Sequence, residues 1–404
     1  MLAGSEAFVR DRPTVLSYSA LGAYTFWLYA FGPALALLRS ESGFSYTMLS
    51  VYSAVWAAGS ALAGMTFGAA ARRIGRHGML WGSALAAAGG AAIFTATHTT
   101  TATLAGTAIL GFAGTMLQTM TQSVLADRHG SRRDQALIEA NIGAGASAVI
   151  APVALGFLHT TPAGWRAGMA LPALALAALY LVYRRQPLPP PPARPAIGRR
   201  GTRLSLACWL LCLLVAIGIG VEFCIVYFGA EQLSATTKLS TASAAGAMAL
   251  FYAGILAGRI AGGHLARQPG RTSGLVWVSL TVTTIGFVAF WLCPYLPVTL
   301  AGLFVAGLGI ANLFPLCLAL ALAAAPGHTD AANARSQLLG GLLVVAAPFT
   351  LGALADHVGL SAAFTVAPCL IALCALLLYL GLRSGEPAPT GAMQTPAAGH
   401  RVRS

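Results

Sequence analysis

The sequence has very few charged residues. Asp, Glu, Lys and Arg together make up 9% of its 404 residues, whereas soluble domains carry about 25%, because their surfaces face water. Apolar residues account for 57% of the chain, and the mean hydropathy is +0.74. An ordinary soluble protein is therefore excluded, and the composition predicts a polytopic protein of the lipid bilayer.

Acidic residues are scarcer than basic ones, and lysine is nearly absent. The chain has 24 Lys and Arg against 11 Asp and Glu, for a formal net charge of +13, and Lys238 is its one lysine. The arginines punctuate apolar runs and form no basic stripe, so nucleic acid is not expected as a partner. Arginine in place of lysine, with abundant Ala and Gly, indicates a GC-rich bacterial genome.

Cysteine is absent before residue 208, and the seven cysteines that follow lie inside apolar runs that end with Cys374. They form no CxxC pair and show no metal-ligand spacing, so we expect small membrane-helix side chains, no metal and no cofactor. The N-terminus has acidic and basic residues before any apolar core, unlike a secretory signal peptide. The first spanning helix is therefore expected to target the chain.

Twelve apolar runs approach or exceed the length of about 20 residues that crosses a bilayer. They cover residues 14–38, 45–70, 78–97, 101–126, 135–158, 165–183, 204–230, 240–263, 273–293, 297–323, 332–355 and 361–382. These spans predict an all-α membrane protein of twelve transmembrane helices, and the even number places both termini on one side.

The arginines predict the orientation, because cytoplasmic connectors are enriched in Arg and Lys. Twenty cations fall on one side of the twelve spans and three (Arg39, Arg166, Lys238) on the other. We expect a multi-pass protein of the plasma (inner) membrane with cytoplasmic N and C termini. The expected division is a cytoplasmic tail at 1–13, a six-helix bundle at 14–183, a Pro/Arg-rich cytoplasmic linker at 184–203, a second six-helix bundle at 204–382 and a disordered cytoplasmic tail at 383–404.

The two bundles repeat each other at a shift of about 196 residues. TLAG at 103–106 recurs at 299–302, and Pro152 and Gly156 recur as Pro348 and Gly352 within matching segments. Two six-helix repeats in the same orientation imply a pseudo-twofold axis along the membrane normal. Such an arrangement places a solute site between the halves near the midplane, with access that alternates by rocking.

These features resemble the major facilitator superfamily over residues 14–382. The segment at 68–76 fits the family's G-x-L-x-D-R-x-G-R frame after the second span, and 263–271 fits it after the eighth, but Arg72 and Arg267 stand where the family has Asp. Pro152 and Gly156 match the end of the family's antiporter motif. The resemblance implies a transporter that works by alternating access.

Only two acids, Glu139 and Glu222, lie well within the spans. A carboxylate at the depth of Glu222 costs several kcal/mol unless it is neutralised, paired or facing water, and the sequence places no cation at that depth. Its helix lines the cavity in the resembled fold. We interpret Glu222 as a proton-coupling or substrate-binding carboxylate; the alternative is an outer-gate hydrogen bond to Ser, Thr or Tyr.

Glu139 lies one turn inside the fifth span, and its counterpart at the 196-residue shift is Arg335. Opposite charges at related positions predict ion pairs between the halves, and the resemblance makes Arg259 the expected partner of Glu139 when the outer side is open. Local capping or contact with lipid headgroups is the alternative. The predicted cytoplasmic gate comprises Glu139, Arg259, Arg335, Arg72, Arg73 and Arg76.

A polar stripe follows one face of the fourth span, which suits either a cavity wall or helix packing. The candidate cavity residues are Thr115, Gln118 and Gln122 of this stripe, Asn312 of the tenth span, and Tyr24 and Trp27 of the first. For the two aromatic residues, anchoring at the membrane interface is the favoured alternative. The expected helix breakers are Pro152, Gly156, Pro348, Gly352 and Pro315.

The pattern as a whole predicts a monomeric secondary transporter of a small organic solute, coupled to protons. Pro152 and Gly156 favour efflux by antiport, whereas the Gln-rich face would suit proton-coupled uptake of a sugar-like solute. A receptor or scaffold that kept the fold would need an attached soluble domain, which the sequence lacks. Without a GxxxxGK[ST] motif or a catalytic constellation, neither a primary pump nor an enzyme is expected.

Overall fold

The computed structural model describes residues 8–130, 133–188, 204–265, 271–325 and 329–384. Its helices are α1 (Arg12–Ser42), α2 (Tyr46–Ala96), α3 (Thr100–His129), α4 (Arg133–His159), α5 (Gly164–Tyr183), α6 (Leu206–Thr237), α7 (Thr241–Ala247), α8 (Ala249–Leu265), α9 (Thr272–Leu292), α10 (Leu296–Ile310), α11 (Leu313–Ala323), α12 (Thr329–Val358), α13 (Leu360–Ala363) and α14 (Val366–Ser384). No strand occurs within these ranges. From residue 189 the expected linker lies outside the described residues, as does the expected tail from residue 385.

Eleven helical segments in the described ranges are long and apolar enough to cross a membrane. We refer to α1–α5 as the N-terminal half and to α6–α14 as the C-terminal half. The end of the bundle at which α1 begins is the N side, and the end at which α1 finishes is the far side.

Capping residues fix where several helices begin. The Asp11 carboxylate accepts from the backbone N–H of Thr14 at 3.2 Å, at the start of α1. The hydroxyls of Ser45 and Ser205 accept from the third following N–H at the starts of α2 and α6. Each cap satisfies a donor that the first helical turn leaves without a partner. The short loop between α1 and α2 also contains Gly43, whose φ of 66° favours glycine.

Helix α2 covers the second and third predicted spans and the connector expected between them. At about 1.5 Å per residue, its 51 residues would extend about 75 Å if straight, more than twice the thickness of about 30 Å of a bilayer core. The backbone leaves helical geometry at Gly75, where φ is 70° and ψ is 168°. The expected loop is thus a single-residue break that glycine makes without steric strain.

The tenth predicted span is divided between α10 and α11. Pro315 lies in the first turn of α11 and has no N–H to bond the carbonyl four residues earlier, at Ala311, so the helix ends there. Asn312 stands at this break, and its side-chain amide donates to the Gly258 carbonyl of α8 at 2.8 Å. The proline therefore interrupts its helix as expected, and the asparagine stabilises the break.

Glycines bring α2 against α3, and equivalent glycines bring α9 against α10. A Cβ on Gly90 or Gly106 would lie 2.8 Å or 2.6 Å from a backbone nitrogen of the facing helix. The glycines 196 residues later, Gly286 and Gly302, make the same contact, and a Cβ on Gly302 would lie 2.6 Å from a backbone nitrogen of α9. The sequence repeat thus coincides with a repeat of helix contacts.

A methyl group at Gly286 should destabilise the fold, whereas one at Gly274 should not. Both residues lie in α9, but a Cβ at Gly286 would collide with the backbone of α10 and one at Gly274 has nothing within 4 Å. We expect Gly286→Ala to lower the apparent melting temperature in detergent, with an overpacking penalty of about 1–3 kcal/mol. Gly274→Ala should leave it unchanged or raise it slightly, because alanine favours helix. Equal shifts in the two variants would contradict this packing.

Candidate functional site

The two halves meet in close backbone contact on the far side. A Cβ on Gly32 of α1 would collide with the backbone of α6. One on Gly156 of α4 would lie 2.9 Å from the Ala242 carbonyl oxygen of α7, and one on Gly352 of α12 would lie 2.7 Å from the Tyr46 carbonyl oxygen of α2. These three glycines seal the interface, since any side chain would separate the helices.

The two proline–glycine pairs occupy equivalent places in this seal. Pro152 and Gly156 lie in α4 against α7, and Pro348 and Gly352 lie in α12 against α2. Neither pair interrupts its helix, which corrects the expectation that these four residues are helix breakers. A proline removes one backbone hydrogen bond, and neighbouring groups can compensate the freed carbonyls. The Ser50 hydroxyl also donates to the Pro348 carbonyl oxygen at 2.9 Å.

Charged and polar residues lock the far side outside the glycine seal. The Asp356 carboxylate accepts from the backbone N–H groups of Tyr46 and Thr47, both at 2.8 Å, and from the Thr47 hydroxyl at 2.5 Å. Arg39 of α1 pairs with Glu231 of α6 at 3.2 Å, and its guanidinium carbon lies 3.7 Å from the Tyr46 ring centroid. We call these five residues the far-side lock.

Sequence reasoning missed this lock. It considered only Glu139 and Glu222, the two acids well within the predicted spans, and gave Glu231 and Asp356 no role. The available signal was that Asp356 follows Gly352 by four residues and so lies on the same face of α12. The partner, the exposed N–H groups at the start of α2, carries no side-chain signature and becomes visible only in three dimensions.

A cavity of about 160 Å³ lies between the halves, on the N side of the seal. Its walls come from α1, α3, α4 and α8, and most of the lining is aliphatic. The polar lining residues are Thr25, Tyr29, Gln118, Asn141, Tyr252 and Arg259. The cavity therefore offers amide, phenol and guanidinium groups in an apolar surround, which is typical of a small-molecule site.

Three ionisable side chains, Tyr29, Tyr252 and Arg259, line the cavity near the midplane, and a fourth, Glu222, lies beside them without lining it. The Tyr29 and Tyr252 ring centroids are 4.7 Å apart and edge-on, across the interface between the halves. Arg259 lies beside the Tyr29 hydroxyl, and its charge also acts on Glu222. Glu222 lies at the midpoint of α6 and is partly exposed. The cluster combines one acid and one base inside the membrane.

The position of Arg259 corrects the expectation that no cation lies near the depth of Glu222. In a helix, side chains tilt toward the helix N-terminus, and α8 runs from the far side toward the N side. The long side chain of Arg259 therefore reaches back toward the midplane. Counting residues along α8 placed only its Cα and missed the reach of the guanidinium.

The polar stripe of α3 divides between packing and cavity. Gly111 packs against the backbone of α2, and the Thr115 hydroxyl donates to Ser60 of α2 at 2.9 Å. Gln118 lines the cavity. Gln122, one turn closer to the N side, is partly buried and does not line it.

The aromatic candidates of α1 lie in the packed interior of the N-terminal half. Tyr24 is 2% exposed and packs on Gly114, with its hydroxyl near Thr115. Trp27 is fully buried, and its indole N–H donates to the Met169 carbonyl at 2.8 Å. Neither residue lines the cavity, to which Tyr29 of the same helix contributes instead.

On the N side, Glu139 pairs within its own half. Two nitrogens of Arg10 donate to the Glu139 carboxylate, both at 2.8 Å, and the Tyr18 hydroxyl donates at 3.3 Å. The expected pair between Glu139 and Arg259 is not formed here. That prediction concerns the opposite access state, in which the far side is open, and stays a prediction.

Two of the other arginines expected in the N-side gate contact residues of their own halves. Arg76 pairs with Asp127 of α3, and Arg335 lies with its guanidinium carbon 5.7 Å from the Trp209 ring centroid. Arg72 and Arg73 are exposed. The hydrogen bonds and ion pairs described above between the halves, those of Arg39, Ser50 and Asp356, all lie at the far side.

Asp11 organises the N-side end of α1. Burial alone would raise the pKa of Asp11, but hydrogen bonds from Thr14 and Arg128 outweigh it, and the pKa lies below its ordinary value. Arg128 pairs with this carboxylate at 2.6 Å. The start of α1 is therefore tied to the end of α3, inside the N-terminal half.

A family model described as Major Facilitator Superfamily matches residues 18–292 and 210–401. No curated protein matches the chain in sequence. The fold is similar to that of a bacterial homolog of the human lysosomal transporter Spinster, in its inward-facing and unoccupied conformation, with a TM-score of 0.76 and 14% identity over 96% of this chain and 100% of that one.

Two other solved structures are similar at comparable levels. The nucleoside transporter NupG has a TM-score of 0.69 and 12% identity, over 93% of this chain and 98% of its own. A mutant of the peptide transporter POT has a TM-score of 0.71 and 17% identity, over 92% of this chain and 94% of its own. At such identities these structures support the fold alone.

Removing the charge of Asp356 should loosen the far-side lock. Asp356→Asn replaces charge-assisted bonds to the start of α2 with weaker ones and loses the attraction to that helix terminus. We expect a longer-distance population between spin labels on exposed positions Ser42 and Thr365, measured by pulsed electron resonance after the native cysteines are replaced.

Glu41→Gln is the matched control for this measurement. It removes a carboxylate that pairs with Arg166 inside the N-terminal half at 2.6 Å, and it should leave the label distances unchanged. An Asp356→Asn distance distribution identical to that of the parent would show that Asp356 does not hold the halves together.

Proposed function

Because the chain belongs to the major facilitator superfamily, we propose that it carries a small organic solute across a membrane by alternating access, as a secondary transporter coupled to protons. The family and the structures that resemble the chain are transporters and not enzymes. One observation carries the proposal: the halves touch through the glycine seal on the far side, while a polar cavity lies between them on its N side. This is the geometry of one access state.

We infer twelve spans arranged as two six-helix repeats, at 14–183 and 204–382, joined by a linker at 184–203 and flanked by tails at 1–13 and 383–404. The length of α2 and its break at Gly75 support two spans within that helix. The glycine contacts of α2–α3 and α9–α10, and the two proline–glycine pairs, support the repeat, since all recur 196 residues apart.

We also infer that the N side is cytoplasmic and that the membrane is the plasma membrane. The excess of arginine on that side supports the orientation. The cavity then opens toward the cytoplasm, and the far-side lock closes the external side.

Labelling of an introduced cysteine tests this orientation. Ser205 is exposed on the N side, at the start of α6. In a variant without native cysteines, Ser205→Cys should react with a membrane-impermeant thiol reagent only after the cells are permeabilised. A cysteine at Ser42, on the far side, is the positive control and should react in intact cells. Reaction of the Ser205 variant in intact cells would reverse the orientation.

Rocking of the halves would create the N-side gate. Gly145 of α4 already packs on Leu256 of α8, where a Cβ would lie 2.9 Å from the leucine side chain. Glu139 and Arg259 lie farther toward the N side on the same two helices. Closure there would bring them together, and Arg259 would leave the Tyr29 hydroxyl for the Glu139 carboxylate.

The two proline–glycine pairs do not distinguish export from import. Pro152 and Gly156 favoured efflux by antiport at the level of sequence. Pro348 and Gly352 make the equivalent contact in the other half, so both pairs support closure of the interface and neither encodes a direction. Efflux by antiport and uptake by symport therefore differ in whether the proton moves against the solute or with it.

Glu222→Gln tests the proton coupling. Glutamine has the shape of the protonated acid and cannot release a proton. In liposomes with an internal pH dye, we expect the wild type to move protons when its solute is supplied, with acidification for symport and alkalinisation for antiport. Glu222→Gln should lose this proton movement and keep solute exchange.

Glu41→Gln is again the matched control, since it removes a carboxylate of α1 that pairs with Arg166 and does not line the cavity. It should keep both proton movement and exchange. If Glu222→Gln moves protons as the wild type does between pH 5.5 and 8.5, Glu222 has a structural role and the coupling proposal fails.

A further inference from the structure

We propose that the solute is a small organic anion whose carboxylate or similar group binds Arg259, and that it binds together with a proton on Glu222. This inference rests on the proposed transport function and specifies the substrate class of the same cavity. It also predicts symport, because the proton on Glu222 and the anion at Arg259 are bound at the same time.

Arg259 is the residue whose positive charge favours a bound anion. It lies in a membrane-spanning helix, its side chain is exposed and it lines the cavity. None of the ion pairs in the described part of the chain includes it. A guanidinium carries five N–H donors, and the Tyr29 hydroxyl beside it occupies few of them. An unpaired charge at that depth is costly, so a bound anion would stabilise it.

The rest of the lining carries no competing charge. Arg259 is the one charged residue among the lining residues, and Gln118 and Asn141 face it from α3 and α4 with uncharged amides. The Gln118 side chain forms no hydrogen bond within the described ranges. It is free to bind a polar group of the solute. A cationic solute would have to lie beside Arg259 and would be repelled.

Glu222 is the carboxyl group on which the charge of Arg259 acts. The other titratable groups that face the pair are the phenols of Tyr29 on α1 and Tyr252 on α8, with Tyr227 of α6 behind them. Phenols ionise near pH 10 and stay neutral near pH 7.

Near the midpoint of α6, Leu313 of α11 and Ala347 of α12 pack against Gly218 and Gly220, and Asn312 packs against α8. These three neighbours are uncharged. Glu222 and Arg259 therefore determine the electrostatics of this wall.

The two ligands reinforce each other through Arg259. An ionised Glu222 compensates Arg259 and repels a solute anion, so the anion binds weakly. Once Glu222 takes a proton, Arg259 is left uncompensated and attracts the anion. By linkage, the bound anion favours the protonated Glu222 by the same factor. With both ligands bound, Arg259, the protonated Glu222 and the anion have the same net charge as Arg259 and an ionised Glu222 have without solute. An unchanged net charge suits passage through an apolar membrane.

A charge-matched set of probes tests the substrate class. Benzoate, benzamide and benzylamine share one ring and differ in charge at neutral pH, and Tyr29 and Tyr252 offer aromatic faces to that ring. Binding to purified full-length protein is measured by calorimetry at several pH values, with acetate and hexanoate as further anions. We expect at least one anion to bind, benzamide and benzylamine to bind at least tenfold more weakly than benzoate, and the anion affinity to rise as the pH falls.

Variants assign the effect to the two residues. Arg259→Gln should weaken anion binding at least tenfold, and Arg259→Lys should retain part of it. Glu222→Gln should bind the anion at high pH as tightly as the wild type does at low pH. Arg383→Gln is the matched control, because it removes an exposed arginine outside the cavity, and it should bind as the wild type does. The melting temperature shows that each variant is folded.

The proposal is overturned if no anion binds, if the three ring probes bind equally, or if folded Arg259→Gln and Arg259→Lys both bind the anion as the wild type does. These outcomes are separate from failure of the coupling. Unchanged proton movement in Glu222→Gln liposomes would contradict the proposed proton coupling. Anion binding that does not depend on Arg259, with proton coupling intact, would contradict only the proposal that the substrate is an anion bound by Arg259.

Discussion

Close approach of helix backbones is the constraint on which the structure depends. Inside a bilayer there is no hydrophobic driving force between helices, because lipid tails are as apolar as leucine. Association then relies on van der Waals packing, which is best where a glycine lets one backbone touch another. Gly32, Gly156 and Gly352 do this between the halves, and Gly90 and Gly286 do it within them. The interface between the halves is therefore tight on the far side and leaves room for a cavity where side chains replace glycine.

The few charges of the chain are placed where the membrane tolerates them or where function needs them. Arg39, Glu231 and Asp356 lie at helix ends and join the halves at the far side. Their bonds are polar and can exchange with water, so a lock of this kind can open when the interface hydrates. Glu222 and Arg259 lie deeper, beside the cavity, where a charge is expensive and is seldom kept without a role.

The sequence was sufficient for the helical membrane fold and its family, because long apolar runs with a one-sided arginine bias are typical of polytopic membrane proteins and of few soluble ones. It also located Gln118, Glu222 and the proline–glycine pairs. The sequence did not predict contacts that depend on how far a side chain reaches or on backbone groups as partners. Arg259 was placed too far from Glu222, and the N–H partners of Asp356 at the start of α2 have no sequence signature.

The three prolines predicted to break helices had different outcomes, again because tertiary contacts are not visible in the sequence. Pro315 interrupts its helix, but Pro152 and Pro348 do not, although all three have the same local chemistry. The outcome depends on whether neighbouring helices stabilise the continued helix. Here the glycine four residues later lets a second helix pack closely on α4 and on α12. The tertiary contact therefore decides the local structure.

Comparison of positions 196 residues apart separates packing from function within this one chain. The glycines of the helix contacts and the proline–glycine pairs occur in both halves, as expected for residues that shape two similar bundles. The midplane charges do not: the counterpart of Glu222 is Phe26, and that of Arg259 is Ala63. Both counterparts are buried apolar residues. Both midplane charges therefore lie in the C-terminal half, while the N-terminal half contributes Gln118, Asn141 and Tyr29 to the opposite wall of the cavity. A site built in this asymmetric way can hold a solute whose charged end faces one half and whose neutral end faces the other. In the transport cycle that we propose, rocking of the halves around this site would expose it to each side in turn.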